Sequence, residues 1–144
     1  MHCRPGLVAL ALISACGGQK NVQEVEPTRH DRGTVTGTVY YLERMALPPN
    51  AEVVVQLLDA SRADAPAEVI AQDSISSGKQ VPIPFKLDYD VARIVPAHTY
   101  VVRATIKADG SLLFTSTTTN PVVTNGQPSY VEVRVSRPPA GSPQ

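Results

Sequence analysis

Apolar side chains recur at every second position along much of the segment from residue 33 to residue 137. The alternation is clearest in residues 34–42, 99–107 and 130–136. A period of two is typical of a β-strand with one face on a hydrophobic core and the other in water, whereas a helix has a period near 3.6. The residues predicted to face the core are Val35, Gly37, Val39, Tyr41, Tyr100, Val102, Ala104, Ile106, Val131, Val133 and Val135.

Three further stretches have strand character. Residues 52–60 are apolar on both faces, which favours a central strand, and residues 67–75 and 80–87 are further candidates. Pro82 and Pro84 lack the amide hydrogen that a central strand donates. The third stretch is therefore predicted to be an edge strand or a broken strand.

Turn residues separate these strands. Asp109 and Gly110 stand between two alternating runs, and such a pair is typical of a two-residue hairpin. Asn125 and Gly126 mark another turn before the last strand. No stretch of twelve residues has a helical apolar stripe. Seven or eight short strands predict an all-β fold, an antiparallel, immunoglobulin-like β-sandwich, with a small barrel as the alternative.

The first fifteen residues differ from the rest. Arg4 precedes an apolar run over residues 6–15, which is about half as long as a transmembrane helix requires. A basic start and a short apolar run that ends in small residues are typical of a secretory signal peptide. The motif Ile13-Ser14-Ala15-Cys16 resembles the lipobox of bacterial lipoproteins, in which the cysteine thiol receives lipid. The resemblance implies that residues 1–15 are removed and that Cys16 is lipidated; an incidental or buried thiol is the alternative.

The residues after the lipobox bear on location. In lipoproteins of bacteria with two membranes, aspartate directly after the lipidated cysteine favours retention in the inner membrane, and this chain has Gly17 there. The resemblance thus implies an outer-membrane lipoprotein that faces the periplasm. Residues 16–32 are polar and without hydrophobic period, which predicts a lipidated N-terminus and a flexible tether. Residues 33–137 form one predicted domain, and the composition of residues 138–144 predicts a disordered tail.

The composition argues against several kinds of partner. Thirteen basic and thirteen acidic residues give a formal net charge of zero, and no basic stripe is present. We therefore expect no nucleic-acid partner. Cys3 and Cys16 both precede the domain, so residues 33–137 contain no thiol for a disulfide or a zinc site.

His98 is the single histidine of the domain, and with Asp88 or Asp90 and any of many serines or threonines it could be drawn as a hydrolase triad. The spacing does not support that arrangement, and a strand end or a solvent-facing position is favoured. Asp88 and Asp90 could also offer two carboxylates to calcium, but EF-hand spacing and its loop glycine are missing. The sequence predicts a protein that is not an enzyme and uses no cofactor and no metal.

Two longer motifs resemble the YbaY/YscW-type lipoprotein domain. The first covers residues 33–72 and includes the run LPPNA, and the second covers residues 78–117 and includes PIPF, HTY and ADGSLLFTS. The resemblance extends from Gly33 to Val135. It implies a lipid-anchored β-sandwich in the periplasm with no catalytic motif. One branch of the family, the pilotins of type III secretion, binds the C-terminal segment of a secretin.

Three functions follow as hypotheses. The first is a lipid-anchored module that binds a protein partner, such as a secretin-like assembly client, through a strand edge or an apolar groove, with residues 80–87 as a candidate edge. The second is a module associated with envelope glycan or peptidoglycan, suggested by the threonine-rich residues 115–119. The third, a periplasmic enzyme, has the least support because no catalytic constellation is present.

Overall fold

The computed structural model describes residues 31–76 and 78–141, and these residues fold into eight β-strands. Cys16 and the predicted signal peptide and tether up to residue 30 lie outside the described residues. Among the described residues, no helix is long and apolar enough to cross a membrane. The strands are β1 (Arg32–Tyr40), β2 (Glu52–Asp59), β3 (Glu68–Ser76), β4 (Ile83–Asp90), β5 (Tyr100–Ala108), β6 (Ser111–Ser116), β7 (Pro121–Val122) and β8 (Tyr130–Ser136), with one 3₁₀ turn at Val91–Arg93.

The strands form one curled, barrel-like sheet in the order β3-β2-β5-β6-β8-β1-β4, and β7 pairs with β5. All neighbouring strands are antiparallel except β1 and β8, which run parallel. β3 and β4, at the two ends of this order, lie against each other without pairing. The sheet is thus nearly closed.

This topology confirms the predicted all-β class and strand number, but the strands form a nearly closed sheet with one parallel pair and not clearly the predicted antiparallel, immunoglobulin-like sandwich. β8 pairs with β1 on one side and with β6 on the other, and so joins the two layers that a sandwich keeps separate. Alternation predicts which face of a strand is buried but carries no information on which distant strand lies beside it. The small barrel, the alternative, is nearer to the observed sheet.

The core lies inside the curled sheet, where alternate side chains of each strand meet. The predicted inward positions are confirmed, with Val131 half-buried at the margin and the others buried. β2 is an interior strand between β3 and β5, in agreement with its apolar character on both faces. Its buried residues are Val53, Val55, Leu57 and Leu58, and Phe114, Leu87, Ile83 and Val122 complete the centre of the core.

Gly37 allows β1 to fit between its two neighbouring strands. A Cβ atom at this position would lie inside van der Waals contact with the backbone carbonyl oxygen of Val131, and 2.8 Å from the ring of Phe85. β1 pairs with β4 and β8 at this level, so a displacement that relieved the contact would disturb the strand pairing. Glycine is required here by close approach.

The predicted hairpin at Asp109 and Gly110 is confirmed. Their φ angles are 51° and 75°, the left-handed region that a tight two-residue turn between β-strands demands. Asn125 and Gly126 also adopt positive φ, in the turn before β8. The strand predicted at residues 80–87 is β4, which lies at an edge of the sheet, as its prolines predict.

Candidate partner-binding surface

The structure does not bring together the residues of the hydrolase triad considered above. The Nδ1 atom of His98 lies 2.7 Å from Oδ2 of Asp59, not beside Asp88 or Asp90. The Ser61 hydroxyl donates to the other oxygen of Asp59 at 2.6 Å and accepts from the amide of Thr99 at 2.9 Å. This serine is therefore bonded to the acid, and the cluster joins the end of β2 to the loop before β5.

The carboxylate of Asp59 is stabilised in its charged form. Burial raises the pKa of Asp59, but hydrogen bonds from the side chain and amide of Ser61 and from His98, together with the charge of His98, hold that pKa below its ordinary value. Within the described residues, the Ser61 hydroxyl donates to Asp59 and not to His98, so the cluster shows no serine activated by the histidine. The arrangement favours a structural role for this pair.

Asp88 and Asp90 also have local partners. Asp88 accepts a hydrogen bond of 2.7 Å from Thr34, which lowers the pKa of Asp88, and lies 3.4 Å from the ammonium of Lys86. Asp90 accepts from the amide of Ala92 and so begins the 3₁₀ turn. In the part of the chain that the structure describes, no three histidine, cysteine or acidic side chains are grouped to hold a metal ion.

The threonine-rich segment of the glycan hypothesis ends β6 and continues into the following loop. Thr117, Thr118 and Thr119 are exposed and line a shallow depression of about 230 Å³ with Arg103. Asn120 is buried beneath them and donates to the carbonyls of Val102 and Thr118, which fixes the loop. The lining contains no aromatic ring on which a sugar could stack.

The free edge of β4, the predicted candidate for strand addition, has features that oppose pairing. The amide of Val91 donates to the carbonyl of Asp31, so these two residues form a hydrogen-bonded pair. Hydrogen-bonded and non-hydrogen-bonded pairs alternate along an antiparallel ladder. The backbone groups of Pro84, Lys86 and Asp88 therefore point away from β1. Pro84 has no amide hydrogen to offer, and the two charged side chains are exposed on this edge. Proline and charge on an edge strand discourage the addition of another strand.

The facing edge of β3 is partly occupied as well. The guanidinium of Arg93 donates to the carbonyls of Ile70 and Val69 at 2.9 and 3.2 Å and pairs with Glu68 at 2.9 Å. These bonds tie the turn after β4 to the start of β3. The opening between β3 and β4 is therefore bridged at this end.

A different edge, on β6, lacks such protection. β8 pairs with β6 only at Thr115–Ser136 and Ser116–Val135. If the ladder continued, Pro138 and Pro139 would stand opposite Leu113 and Leu112 and could donate no hydrogen bond. The prolines end the pairing, and the first four residues of β6 are left with β5 as their one strand partner in the described structure.

The backbone of this half of β6 points outward at Leu112. Ala108 and Ser111 flank the two-residue turn and form its closing pair, so the next pair, Lys107 and Leu112, directs its amide and carbonyl groups away from the hairpin. Leu113 is the extra residue of a bulge. The segment Ser-Leu-Leu-Phe contains no charge and no proline, which makes it the least protected edge of the sheet.

A groove runs along this edge, which we call the β6 groove. Its volume is about 350 Å³, and its lining is mostly apolar. Met45 is 37 % exposed on one wall, and Leu42, close by in sequence, is 64 % exposed. The lining residues are Met45, Leu112, Leu113, Phe114, Arg137 and Pro138.

Tyr41 holds the wall of the β6 groove in place. Its ring is buried against Phe114, and its hydroxyl donates to the carbonyl of Met45 at 2.6 Å. Burial, and then the charge of Glu43, raises the pKa of Tyr41, so the hydroxyl remains a donor. Sequence reasoning placed Tyr41 in the core but singled out none of the lining residues. The signal that could have found them is the Pro-Pro pair directly after the last strand.

Comparison with known proteins assigns the chain to a family. The model of the family described as "Type III secretion system lipoprotein chaperone (YscW)" matches residues 30–135. The chain belongs to this family. It is 33 % identical over 139 residues to the uncharacterized lipoprotein YbaY of Escherichia coli (strain K12), an alignment that covers 88 % of this chain and 73 % of YbaY.

A solved structure supports the same assignment. An alternative pilotin from the type II secretion system of Vibrio cholerae is 43 % identical, with a TM-score of 0.71 over 73 % of this chain and 96 % of the pilotin. The resemblance to the YbaY/YscW-type lipoproteins is thus confirmed. The YscW family is one of lipoprotein chaperones, which are not enzymes in kind. The family match includes β6 and most of β8 but ends two residues before Arg137.

Proposed function

We propose that this chain is a lipid-anchored envelope lipoprotein whose β-domain binds an extended segment of a protein client at the β6 groove. The observation that carries the proposal is the uncharged half-strand Ser111–Phe114, which has β5 on one side and an apolar groove on the other. A client segment that pairs with Leu112 would gain backbone hydrogen bonds, and its alternate side chains would fill the groove.

The class of client follows from the family. YscW proteins are described as lipoprotein chaperones of type III secretion, and the Vibrio cholerae relative is a pilotin of type II secretion. We infer a client that assembles in the outer membrane, such as a secretin. Cys16 bears the lipid, and Gly17 favours the outer membrane with the domain facing the periplasm.

The geometry of the domain suits an anchored chaperone. The chain enters the domain at Asp31, beside Val91, where β1 begins and β4 ends. The β6 groove lies toward the opposite end of the sheet, near the turn between β5 and β6. Nine residues of β1 separate the two ends by roughly 26 Å. A domain tethered at one end thus presents its open edge away from the anchor.

Two proline variants test the site. Leu112→Pro removes an outward amide from the β6 groove, and Lys86→Pro removes an outward amide from the free edge of β4. The probe is a synthetic peptide that spans the C-terminal segment of the secretin from the same organism. We expect Leu112→Pro to lose at least about tenfold in affinity and Lys86→Pro to bind like the wild type, both with unchanged circular dichroism. Equal losses in both variants would refute the assignment to β6.

The lipid anchor requires its own test, because Cys16 lies outside the described residues. Cells that express the wild type should incorporate radioactive palmitate into the protein, and cells that express Cys16→Ser should not. Cys3→Ser serves as the control and should label normally. Undiminished labelling of Cys16→Ser would refute the lipobox assignment.

A further inference from the structure

We propose that the client segment carries an acidic side chain that pairs with Arg137 at the rim of the β6 groove. This inference rests on the proposed function and adds the chemistry of the partner. Arg137 lines the groove together with the apolar residues, and its side chain is exposed. Its guanidinium donates to the Sδ atom of Met45 at 2.9 Å.

A thioether sulfur is a weak acceptor for such a donor. A guanidinium has five N–H groups in a planar fork, and that fork matches the two oxygens of a carboxylate. Within residues 31–76 and 78–141, no salt bridge joins Arg137 to an acidic side chain. A carboxylate that approached the groove would therefore replace a poor acceptor with a good one.

A second basic side chain lies on β5, across from the unpaired half of β6. Lys107 stands opposite Leu112 on β5 and, like Arg137, is in no salt bridge within the described chain. Glu43 and Asp109 also lie nearby in sequence and keep their negative charge, and each accepts a local hydrogen bond, from the amide of Leu42 and from the side chain of Asn50. Arg137 and Lys107 thus remain as basic side chains without an ion pair in the described structure, available to an incoming carboxylate.

The register of β6 and β8 indicates where along the client segment the acidic residue would lie. Extending the observed pairing by one residue puts Arg137 opposite Phe114, and the positions opposite Leu113 and Leu112, where the described residues form no ladder between β6 and β8, follow. One end of a client strand in those positions would lie next to β8 and close to Arg137. The expected client pattern is two apolar residues separated by one position, with an aspartate or glutamate at the end next to β8.

The flexible side chain of Met45 allows the Arg137 guanidinium to leave the Met45 sulfur for a client carboxylate. Methionine is unbranched and flexible, so its side chain can repack on an apolar client residue when Arg137 turns to a carboxylate.

The test uses the full mature chain in detergent and a labelled peptide of alternating valine and threonine, capped at both termini. Two versions of the peptide carry a single glutamate, one at the N-terminal end and the other at the C-terminal end. Each version has a matched form with glutamine at the same position. Fluorescence anisotropy should show about tenfold tighter binding of the better glutamate peptide than of its glutamine form. Arg137→Gln should remove that preference, and Arg134→Gln, an exposed arginine on β8, should retain it.

The outcomes separate the two proposals. Binding of both peptides with equal affinity would overturn the acidic assignment and leave the proposed function intact. Failure of every peptide to bind would overturn the proposed function and this inference with it. Arg137-dependent binding of vesicles that contain anionic lipid, at the affinity of the glutamate peptide, would also overturn the inference in favour of a lipid surface. Tighter peptide binding by a chain that ends at Gly141 would show that residues 142–144 occupy the groove. That result would also overturn the inference of an acidic client.

Discussion

The rings of Tyr41 and Phe114 stack with their centroids 4.5 Å apart and their planes within 6° of each other. The contact joins the segment after β1 to the strand that bears the open edge. Since the Tyr41 hydroxyl also holds the carbonyl of Met45, this pair supports both the core and the wall of the β6 groove.

Removal of the Tyr41 hydroxyl should weaken the wall of the β6 groove without leaving a cavity in the core. Tyr41→Phe keeps the stacked ring and loses the bond to Met45, so we expect the free energy of unfolding to fall by about 1 kcal/mol in urea titrations. Phe114→Ala should cost about 3–5 kcal/mol, since it deletes a fully buried ring. Tyr40→Phe is the matched control, and a loss equal to that of Tyr41→Phe would contradict the role given to the hydroxyl.

Replacement of Gly37 by alanine adds only one methyl group but should lower the free energy of unfolding substantially. Gly37→Ala places a methyl group against the Val131 carbonyl and the Phe85 ring, and we expect a loss of about 3 kcal/mol or more in the free energy of unfolding. Gly78→Ala meets no atom within 4 Å and should change stability by less than about 0.5 kcal/mol. If Gly37→Ala were as stable as Gly78→Ala, the tight fit of β1 between β4 and β8 would be refuted.

The stability of the domain should depend on the charge of Asp59 in acid. Because the pKa of Asp59 is lower in the folded state, the unfolded chain takes up the proton first as pH falls, and the stabilisation is lost. The difference in unfolding free energy between the wild type and Asp59→Asn should shrink as the pH falls below about 4. Denaturant titrations at each pH measure this difference.

A carboxylate from the loop that follows β2 provides the control for that series. Asp64 is exposed, and Asp64→Asn should leave the acid dependence of the wild type in place. A difference between the wild type and Asp59→Asn that stayed constant down to pH 2 would contradict the stabilisation of the Asp59 carboxylate by Ser61 and His98.

Local pattern predicted the strands well, because burial of one face leaves a mark at every second residue. The inward set from Val35 to Val135 was predicted in this way, and so was the hairpin at Asp109, where the turn needs positive φ. Strand order could not be read from the same pattern. The parallel pairing of β1 with β8 joins residues almost a hundred positions apart, and it is this pairing that makes the sheet a near-barrel.

The candidate site was missed for a related reason. Pro138 and Pro139 are visible in the sequence, and their composition predicted only a disordered tail. Their consequence depends on what they would have paired with, namely Leu113 and Leu112 of β6, which follows from the position of β8 in the sheet. The predicted edge, β4, is indeed an edge, but its proline and its charged side chains protect it from strand addition.

The central claim is that a client adds to the sheet at the open half of β6. Amide hydrogen exchange of the full mature chain, with and without the secretin peptide, tests it most directly, because a paired amide exchanges slowly. The account predicts that bound peptide slows exchange in residues 111–114 and leaves residues 84–90 of β4 unchanged. Slower exchange along β4 and β3 with none at Leu112 would contradict it.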